Sequence, residues 1–551
     1  MTIKASGISV GTILLVVVLG HVTLFPKVAD LDGFYHIGHA FAYAEGGMFQ
    51  TAMPWATQSV IGDQGADMWW GFHVGLMPFT MIPDVAWSIR VAGLLLTLLL
   101  AGCVLWILGR HGVEGAGWWT ALFLIAIPNV FFRFLMVRPH MLTLGASLLL
   151  LSFLVRGRWR DVFLISTLIS WLHLGLFWMA PGVVVAYAMV RGVEYTLGLD
   201  RGIASVPAGS AVSAVFLGTV AGWALRPHPI EAGALANIQI VRLFLEKATG
   251  QPLLLATEIL PLPALELVRS SWLFLGLWAI VLVSTAVYAK NKKLNMPREE
   301  RTLLLTTLLI SSTFLLLALV TARRAMVEWV IFGFLALPIF FTYVVYAYRR
   351  RGTRVIIGVL LAAHLGWFGW QHMLNVDLDA FESDTMQGPA LFLEEQSSPG
   401  EVVFHARWDN FGPLFAHNRK NLYLGGMDPI FQFVHEPRYF WEYFHLSSDV
   451  NTDYTCDAFP CARGVATDTY EVLSEHFATR WVVTEPARNP RLTMYLLTDE
   501  RYRLALETEH EKVFELLGTG LAAAPNILTI VEPVDATPAA DTLAPDSTGV
   551  R

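Results

Sequence analysis

Two carboxylates and two histidines lie close together at residues 30–43, directly after the first apolar run of the chain. On a helix with about 3.6 residues per turn, this stretch has a polar face and an apolar face. The polar face holds Asp32, His36, His39 and Tyr43, and the apolar face holds Phe34, Ile37 and Phe41. The pattern predicts an amphipathic helix that lies in the membrane interface with its apolar face toward lipid.

The polar face carries groups that can move a proton or hold an ion. Asp30 and Asp32, beside His36 and His39, could take a proton from a substrate or bind a divalent cation. The simpler interpretation is that these side chains only face water. A cation would need further ligands, and the sequence identifies none, so a metal site stays unassigned.

Two pairs of arginines fall in short turns that we place outside the cytoplasm. Arg133 and Arg138 lie in one turn, and Arg323 and Arg324 lie in the other. The guanidinium group offers a planar set of donors that matches phosphate oxygens. These residues could therefore stabilise the charge that develops on a lipid-phosphate leaving group. The alternative is that they pair with lipid headgroups or with Glu328. Arg138-Pro139-His140 is the set that we favour most for stabilising the leaving group.

Three further residues are weaker candidates. His73 lies in the first long outer loop, where a packed histidine is the simpler interpretation. Glu258 lies in a second long loop, 224–271, that could close over a substrate, although a plain surface carboxylate is simpler. His173 falls within a predicted helix, where we interpret it as structural.

The composition indicates a membrane protein. Of the 551 residues, 55% are hydrophobic and 15% are charged, and the mean hydropathy is +0.52, whereas soluble domains carry roughly 25% charged residues. Apolar runs of about 17 to 25 residues, long enough to cross a bilayer, occur up to residue 373. The net charge of −7 and the lack of a basic stripe argue against a nucleic-acid partner.

We predict about eleven membrane-spanning helices in a region that ends at residue 373. They lie near residues 8–25, 86–108, 117–135, 139–155, 161–175, 176–191, 203–223, 272–289, 303–321, 326–347 and 354–373. Basic residues in short loops favour the cytoplasmic side, and an N-terminus inside places every rich basic cluster there. The long loops, about 26–85 and 224–271, then lie outside.

Residues 374–531 are predicted to form an extracytoplasmic α/β domain, because strand and helix patterns alternate there. The strands are expected at 401–406, 421–424, 480–484 and 502–516, and the helices at 411–417, 437–445 and 468–477.

Residues 532–551, rich in Pro, Ala, Thr and Asp, are predicted to be disordered. Cys456 and Cys461 could form a disulfide if their side chains meet. His405, Asp409 and the turn 425–429 could contact an acceptor.

The acidic motif after the first helix, the long first outer loop and the outer C-terminal domain together resemble the GT-C superfamily of membrane glycosyltransferases. This superfamily includes oligosaccharyltransferase catalytic subunits, protein O-mannosyltransferases and aminoarabinose transferases. Asp32-Gly33-Phe34-Tyr35-His36 is similar to the Asp-x-(aromatic)-(aromatic)-His run of some oligosaccharyltransferase subunits. Arg407-Trp408-Asp409-Asn410-Phe411-Gly412 is similar to their Trp-Trp-Asp-Tyr-Gly, with one residue inserted and one Trp lost.

The resemblance implies transfer of a hexosyl or pentosyl group, with inversion, from a polyprenyl-phosphate or polyprenyl-diphosphate donor to a lipid, glycan or protein acceptor. The reaction would occur at the outer face of the plasma or inner membrane, in the cell envelope. Asp32 would act as base on the acceptor hydroxyl, with Asp30 as its substitute. The turn at 133–138 lacks the second acidic pair that metal-dependent members place there, so a need for Mg²⁺ or Mn²⁺ stays open.

Two other classes of function compete with a glycosyltransferase. One is a transporter or flippase of a lipid-linked or amphiphilic substrate, but such proteins tend to have internal repeats and charges at the membrane midplane. This sequence shows no repeat, and its ionisable residues collect at the outer boundary instead. The other is a non-catalytic membrane scaffold, which leaves the Asp30 and Asp32 pair and the outward arginines without a role.

Overall fold

A computed structural model describes residues 7–199, 208–250, 252–254, 256–291, 296–345, 351–461, 464, 466–518 and 529–530. The tail predicted at 532–551 lies outside the described residues. So do parts of the basic clusters on which the predicted orientation depends, at residues 201, 292, 293, 349 and 350.

The first half of the chain is almost entirely helical. Its helices are α1 (Gly7–Leu24), α2 (Asp32–Gly46), α3 (Val60–Gln64), α4 (Trp70–Leu76), α5 (Val85–Arg110), α6 (Ala116–Leu124), α7 (Pro128–Phe134), α8 (His140–Val155), α9 (Trp159–Leu172), α10 (Met179–Thr196), α11 (Ala208–Ala224), α12 (Pro229–Asn237) and α13 (Leu243–Ala248).

The second half adds long helices and then shorter ones that alternate with strands. The helices are α14 (Ala264–Lys290), α15 (Arg298–Val320), α16 (Met326–Phe340), α17 (Arg351–Asp379), α18 (Gln387–Gln396), α19 (Phe411–His417), α20 (Pro429–His435), α21 (Pro437–Ser447), α22 (Thr469–Glu471) and α23 (Pro490–Thr498). The strands are β1 (Ala56–Thr57), β2 (Val402–His405), β3 (Leu422–Leu424), β4 (Tyr454–Thr455), β5 (Thr467–Asp468), β6 (Thr479–Thr484), β7 (Tyr502–Glu507), β8 (Lys512–Leu516) and β9 (Thr529–Ile530).

The apolar helices make the chain an integral membrane protein. In the described residues, five segments are long and apolar enough to cross a bilayer: Val85–Arg110, Leu174–Thr196, Ala264–Lys290, Arg298–Val320 and Arg323–Val345. Helix α5 shows the expected lipid-facing stripe, because Trp87, Val91, Leu95 and Leu99 are exposed at every fourth position. Shorter apolar helices are Ser9–Leu24, His140–Val155 and Gly209–Ala224. The predicted number of about eleven crossings is not confirmed.

The span predicted at 117–135 is broken. Helix α6 ends at Leu124, and α7 starts at Pro128 and is bent by 94° from it. The residue before a proline is pushed into extended conformation, as Ile127 is here (φ −142°, ψ 126°). This bend leads the chain toward α2, with Arg133 in the last turn of α7 and Arg138 in the turn that follows it.

Seven of the described strands form one mixed sheet in the order β1-β3-β2-β6-β8-β7-β9. Strands β1, β3, β2 and β6 are parallel, whereas β8 is antiparallel to both β6 and β7. The predicted strands and helices of 401–516 are present. The sheet extends beyond the predicted boundary, because its edge strand β1 comes from the first long loop. Cys456 and Cys461 form a disulfide beside the sheet.

The apolar face of α2 does not face lipid, and that part of the prediction is wrong. Its apolar face packs on α19, where the rings of Phe34 and His417 are 5.7 Å apart between centroids. Its polar face is equally buried, since His36 and His39 are each 2% exposed. The periodicity of this stretch therefore reflects two buried faces, one against apolar side chains and one against a polar site.

The contact between α2 and α19 predicts a destabilising substitution. A Cβ at Gly412 would lie 2.9 Å from the carbonyl oxygen of Leu31, so Gly412→Ala forces the two helices apart. We expect the free energy of unfolding to fall by about 1–3 kcal/mol, as for other overpacked sites. Gly75→Ala is the matched control, because a Cβ at Gly75 meets nothing within 4 Å. The measurement is thermal unfolding of the purified protein, and an unchanged midpoint for Gly412→Ala would contradict this packing.

Candidate active site

Asp30 and Asp32 lie at the start of α2, where Arg138 binds both carboxylates. Oδ1 of Asp30 accepts the backbone N–H of Gly33 at 3.2 Å, and its Oδ2 accepts a hydrogen bond from Nε of Arg138. Nη2 of Arg138 lies 3.0 Å from Oδ2 of Asp32. The free N–H groups and dipole of a helix N-terminus also favour negative charge there. The turn between α7 and α8 is thus fixed to the start of α2.

Glu258 joins the same cluster from the second long loop, on the turn Thr257–Ile259. Its carboxylate pairs with Arg133 and lies 3.2 Å from Nη1 of Arg138. Burial opposes ionisation, but the charges of Arg133 and Arg138 outweigh it and hold the pKa of Glu258 below its usual range. The interpretation as a plain surface carboxylate is therefore wrong. Glu258 anchors its loop over the start of α2.

A cavity of about 110 Å³ opens beside this cluster. It lies where α2, the α7–α8 turn, the α9–α10 break, the second long loop and the first turn of α16 meet the sheet. Its lining is strongly polar and consists of Asp32, His36, Trp69, Arg133, Arg138, Pro139, His140, His173, Gly175, Leu176, Gln239, Glu258, Arg324, Val327, Glu328, Trp408, Met427 and Asp428. The volume gives room for several water molecules, enough for the reacting ends of substrates but not for a lipid chain.

Asp32 is poised to gain or lose a proton near neutral pH. Burial raises the pKa of Asp32 to about 7, with Asp30 and Glu258 adding to the effect and Arg138 opposing it. The ion-paired cluster around Arg138 contains three carboxylates and two guanidinium groups. One negative charge is in excess, and a proton on Asp32 relieves it. Such a group suits general acid–base chemistry.

The two residues of the second arginine pair, Arg323 and Arg324, have different surroundings. Arg323 pairs with Glu266, 3.1 Å away, and does not line the cavity. Arg324 does line the cavity, and among the described residues its side chain makes no ion pair or hydrogen bond. Arg324 does not form the ion pair with Glu328 that the alternative predicted, although the charge of Arg324 still acts on the Glu328 carboxylate. An unpaired guanidinium that faces a cavity is a ready site for an anion.

A chain of hydrogen bonds runs from the cavity into the protein. Nδ1 of His36 lies 2.8 Å from Nε2 of His73, and Nδ1 of His73 lies 2.6 Å from Oδ2 of Asp67. Asp67 also accepts the Tyr43 hydroxyl at 2.8 Å and, through Oδ1, the backbone N–H of Trp69 at 2.8 Å. Burial opposes ionisation of Asp67, but His73, His39 and the Trp69 N–H hold its pKa below the usual range.

The structure brings most of the predicted site residues together. Those that line the cavity are Asp32, His36, Arg133, Arg138, His140, Glu258 and Arg324. Those that do not line it are Asp30, His39, His73 and Arg323. His405 and Asp409 also lie away from it, although Met427 and Asp428 of the predicted turn 425–429 belong to it. His173 is not within a helix as predicted, because its backbone is extended (φ −149°, ψ 92°) where α9 ends.

Two functional positions were missed in the sequence. Asp67 lies on a loop before α4, where no periodicity marks it, and only its place six residues before His73 hints at a role. Gln239 lies in a helical segment of the second long loop and donates to Oδ2 of Asp428 at 3.1 Å. Because this contact joins two segments far apart in the chain, no local signal could have indicated it.

The carboxylates around Arg138 do not form a site for a divalent cation. The neighbouring carboxylates of Asp30, Asp32 and Glu258 all point to guanidinium groups, so Arg138 takes the place that a cation would need. In the described part of the chain, two other groups of side chains come close together, His39–Asp67–His73 and His111–Glu299–Glu300, and neither lines the cavity. In the first group, both ring nitrogens of His73 are already hydrogen-bonded to protein, so we assign no metal there.

Comparisons with known proteins identify the fold. No protein-family model matches the chain, and a search of curated proteins finds no match. Among solved structures, the crystal structure of ArnT from Cupriavidus metallidurans bound to undecaprenyl phosphate matches with a TM-score of 0.53 and 14% identity, over 95% of this chain and 100% of that chain. The cryo-EM structure of arabinofuranosyltransferase AftD from Mycobacteria matches with a TM-score of 0.53 and 13% identity, over 95% of this chain and 42% of AftD. The chain therefore has a GT-C-like fold.

Arg138 and Asp30 form the buried pair on which the geometry of the site depends. We expect Arg138→Gln to lower the free energy of unfolding by about 3–5 kcal/mol, because it leaves buried carboxylates without their partner. The double variant Asp30→Asn/Arg138→Gln should recover part of this loss, since the amide needs no counterion. Denaturation of both variants in detergent checks the coupling. Equal loss in the single and double variants would show that Asp30 and Arg138 do not act as a pair.

Proposed function

We propose that this protein is a glycosyltransferase that moves a sugar from a polyprenyl-phosphate-linked donor to an acceptor hydroxyl. One observation carries this proposal: Asp32, whose pKa is about 7, and the unpaired guanidinium of Arg324 line the same small cavity. A proton acceptor and an anion receptor are the two groups that this transfer requires.

In the transfer, Asp32 takes the proton of the acceptor hydroxyl. The acceptor oxygen forms a bond to the anomeric carbon of the sugar, while the bond from that carbon to the phosphate oxygen breaks. The electron pair of the broken bond stays on the phosphate, where Arg324 stabilises the added negative charge. Attack from the side opposite the leaving phosphate inverts the anomeric carbon. Arg138 keeps Asp32 in place for this step.

The comparisons support the donor class. ArnT was solved with undecaprenyl phosphate bound, and AftD is an arabinofuranosyltransferase. The cavity of this chain is too small for a polyprenyl chain, so the lipid must lie along the apolar helices outside it. The anomeric end of the sugar and its phosphate enter the cavity.

The proposed site faces the outside of the cell. The basic clusters of the short loops favour the cytoplasmic side, and the sheet and the two long loops then lie opposite. The disulfide between Cys456 and Cys461 is typical of an oxidising compartment. The acceptor is then a lipid, glycan or protein of the cell envelope.

Asp32→Asn tests the base. We expect transfer of labelled sugar from polyprenyl-phosphate-linked pentoses or hexoses to fall by about 10²–10⁴-fold, the usual contribution of a general base. In the wild type, the rate should rise as pH increases and level off above about 7, because burial raises the pKa of Asp32 to about 7 and only its ionised form accepts a proton. The variant should lose this pH dependence.

The control for Asp32→Asn is Asp63→Asn, since Asp63 lies in α3 with its side chain 56% exposed and away from the cavity. Transfer that is unchanged in Asp32→Asn removes Asp32 from the mechanism. Movement of the labelled lipid across vesicle membranes without release of sugar would instead support a transporter.

The second arginine pair offers a matched test of phosphate recognition. Arg324→Ala should raise KM for the donor and lower kcat, because the guanidinium binds the phosphate and stabilises its developing charge. Arg323→Ala changes the neighbouring residue, which pairs with Glu266 outside the cavity, and should leave transfer unchanged. We expect a loss of about 100-fold or more in kcat/KM for Arg324→Ala alone. Equal losses in both variants would contradict a specific role for Arg324.

A further inference from the structure

Glu328 is a buried glutamate in a membrane-spanning segment, and one oxygen of its carboxylate makes no hydrogen bond. It lies in the first turn of α16, within the segment Arg323–Val345, and is 8% exposed. In the described part of the chain, its Oε2 has no hydrogen-bond partner and its carboxylate forms no ion pair. A buried ionisable group inside a membrane protein is costly and is typical of a functional site.

Glu194 shows how this chain accommodates a buried glutamate that only supports the structure. It lies in the membrane-spanning helix α10 and is 0% exposed. Its Oε1 accepts a hydrogen bond from Nε of Arg301 at 2.9 Å. Its Oε2 accepts from the Thr302 hydroxyl at 2.8 Å and from Nη1 of Arg191 at 2.6 Å. Both oxygens of Glu194 therefore have partners within the protein, whereas Oε2 of Glu328 has none among the described residues.

The carboxylate of Glu328 lines the same cavity as Asp32, on the side of Arg324. Arg324 precedes Glu328 by four residues, in the helical turn that leads into α16, and residues so spaced lie on one face, a turn apart. Both line the cavity. The strongest charge acting on Glu328 is that of Arg324, whereas Asp32 is acted on most by Arg138 and Asp30. Glu328 therefore lies next to the expected position of the phosphate.

A hydroxyl group is the partner that suits Glu328 in either protonation state. An ionised carboxylate accepts a hydrogen bond from a hydroxyl, and a protonated carboxyl group can donate one to it. A phosphate oxygen would be repelled by the ionised form. Because only the anomeric end of the sugar and its phosphate fit the cavity, the hydroxyl within reach is the one nearest to the phosphate. In a pentose or hexose, that hydroxyl is on the carbon next to the anomeric carbon, and it is called the adjacent hydroxyl below.

We propose that the carboxylate of Glu328 binds the adjacent hydroxyl of the donor sugar and thereby selects donors that carry it. This inference rests on the proposed glycosyl transfer and deepens it by naming one group that the donor must have. Positive charge develops on the anomeric carbon as the phosphate leaves. In glycoside hydrolysis, a hydrogen bond to the corresponding hydroxyl strengthens in the transition state. The contact should therefore raise kcat as well as lower KM.

The first experiment combines a change in the donor with a change in the protein. Polyprenyl-phosphate-linked arabinose and mannose serve as the pentose and hexose probes, each with the adjacent hydroxyl present or replaced by hydrogen. The measurement is kcat/KM for transfer by the full-length protein. We expect the preference of the wild type for the complete donor to fall by about 10-fold or more in Glu328→Ala. A deoxy sugar is intrinsically more reactive, but this effect is the same in both proteins and cancels in the comparison.

Three controls separate this contact from a general loss of activity. A donor that lacks a hydroxyl farther from the phosphate should show the same preference in the wild type and in Glu328→Ala. Glu328→Gln keeps a hydrogen-bonding group and should retain part of the preference. Glu436→Gln changes an exposed glutamate outside the cavity and should retain all of it. An unchanged preference in Glu328→Ala overturns the proposal, and so does a loss of preference that is equal for every deoxy donor.

Unfolding of the protein without substrate tests whether Glu328 only supports the structure. Glu328→Gln should leave the thermal midpoint unchanged or raise it, because it removes a carboxylate whose Oε2 is buried without a hydrogen bond. Glu194→Gln should lower the midpoint, because it breaks the ion pairs with Arg191 and Arg301. A decrease for Glu328→Gln as large as that for Glu194→Gln would assign Glu328 a structural role and overturn the proposal.

Binding without acceptor separates this inference from the proposed transfer. Titration of the full-length protein in detergent should give a lower Kd for the complete donor than for the deoxy donor in the wild type, and similar values in Glu328→Ala. That result supports the inference even if the wild type releases no sugar, an outcome that refutes the transfer alone. Transfer without a preference that depends on Glu328 refutes the inference alone. A wild type that releases no sugar and binds both donors equally refutes both.

Discussion

The guanidinium of Arg138 binds carboxylates from two separate parts of the chain, at the start of α2 and on the second long loop. Asp30, Asp32 and Glu258 would each oppose burial if they had no partner, because moving a charge out of water costs several kcal/mol. Arg138 and Arg133 offset that cost only in the arrangement that places all three carboxylates against their guanidinium groups. The arrangement sets where the first loop, the α7–α8 turn and the second loop meet, and the cavity is the space that remains beside them.

The balance of charge around Arg138 determines what the cavity can do. Three carboxylates share two guanidinium groups, and the excess falls on Asp32, the member that lines the cavity with its side chain 30% exposed. The cations in the ion pairs are committed to holding the site together. Arg324 lines the same cavity, and in the described part of the chain its side chain makes no ion pair or hydrogen bond, so it can bind a phosphate without first breaking one. Arg133 and Arg138 thus hold the site together, whereas Arg324 is available to bind a substrate.

The sequence predicted the features that depend on residues close together in the chain. The polar face of α2 was visible from spacing alone, and so were the arginines that depart from the charge rule for membrane loops. The surroundings of the apolar face were predicted wrongly, because periodicity shows that two faces differ but not what covers them. Here α19, almost four hundred residues later in the chain, covers the apolar face. Asp67, Gln239 and the pairing of β1 with β3 depend on such long-range contacts, so spacing could not reveal them.

The different surroundings of Arg323 and Arg324 also could not be predicted from spacing in the sequence. Arg323 and Arg324 are identical in the sequence pattern, and only the position of Glu266 separates one that is paired from one that is free. The break at Pro128 was readable from the rule for residues before proline, although the apolar run that contains it predicted one straight span.

An experimental structure of the protein with a polyprenyl phosphate bound is the most direct test of the central claim. We expect the phosphate oxygens to lie within hydrogen-bond distance of the Arg324 guanidinium, with Asp32 held by Arg138 in the same cavity. A phosphate bound away from Arg324, or an Asp32 separated from Arg138 by packed side chains, would contradict it.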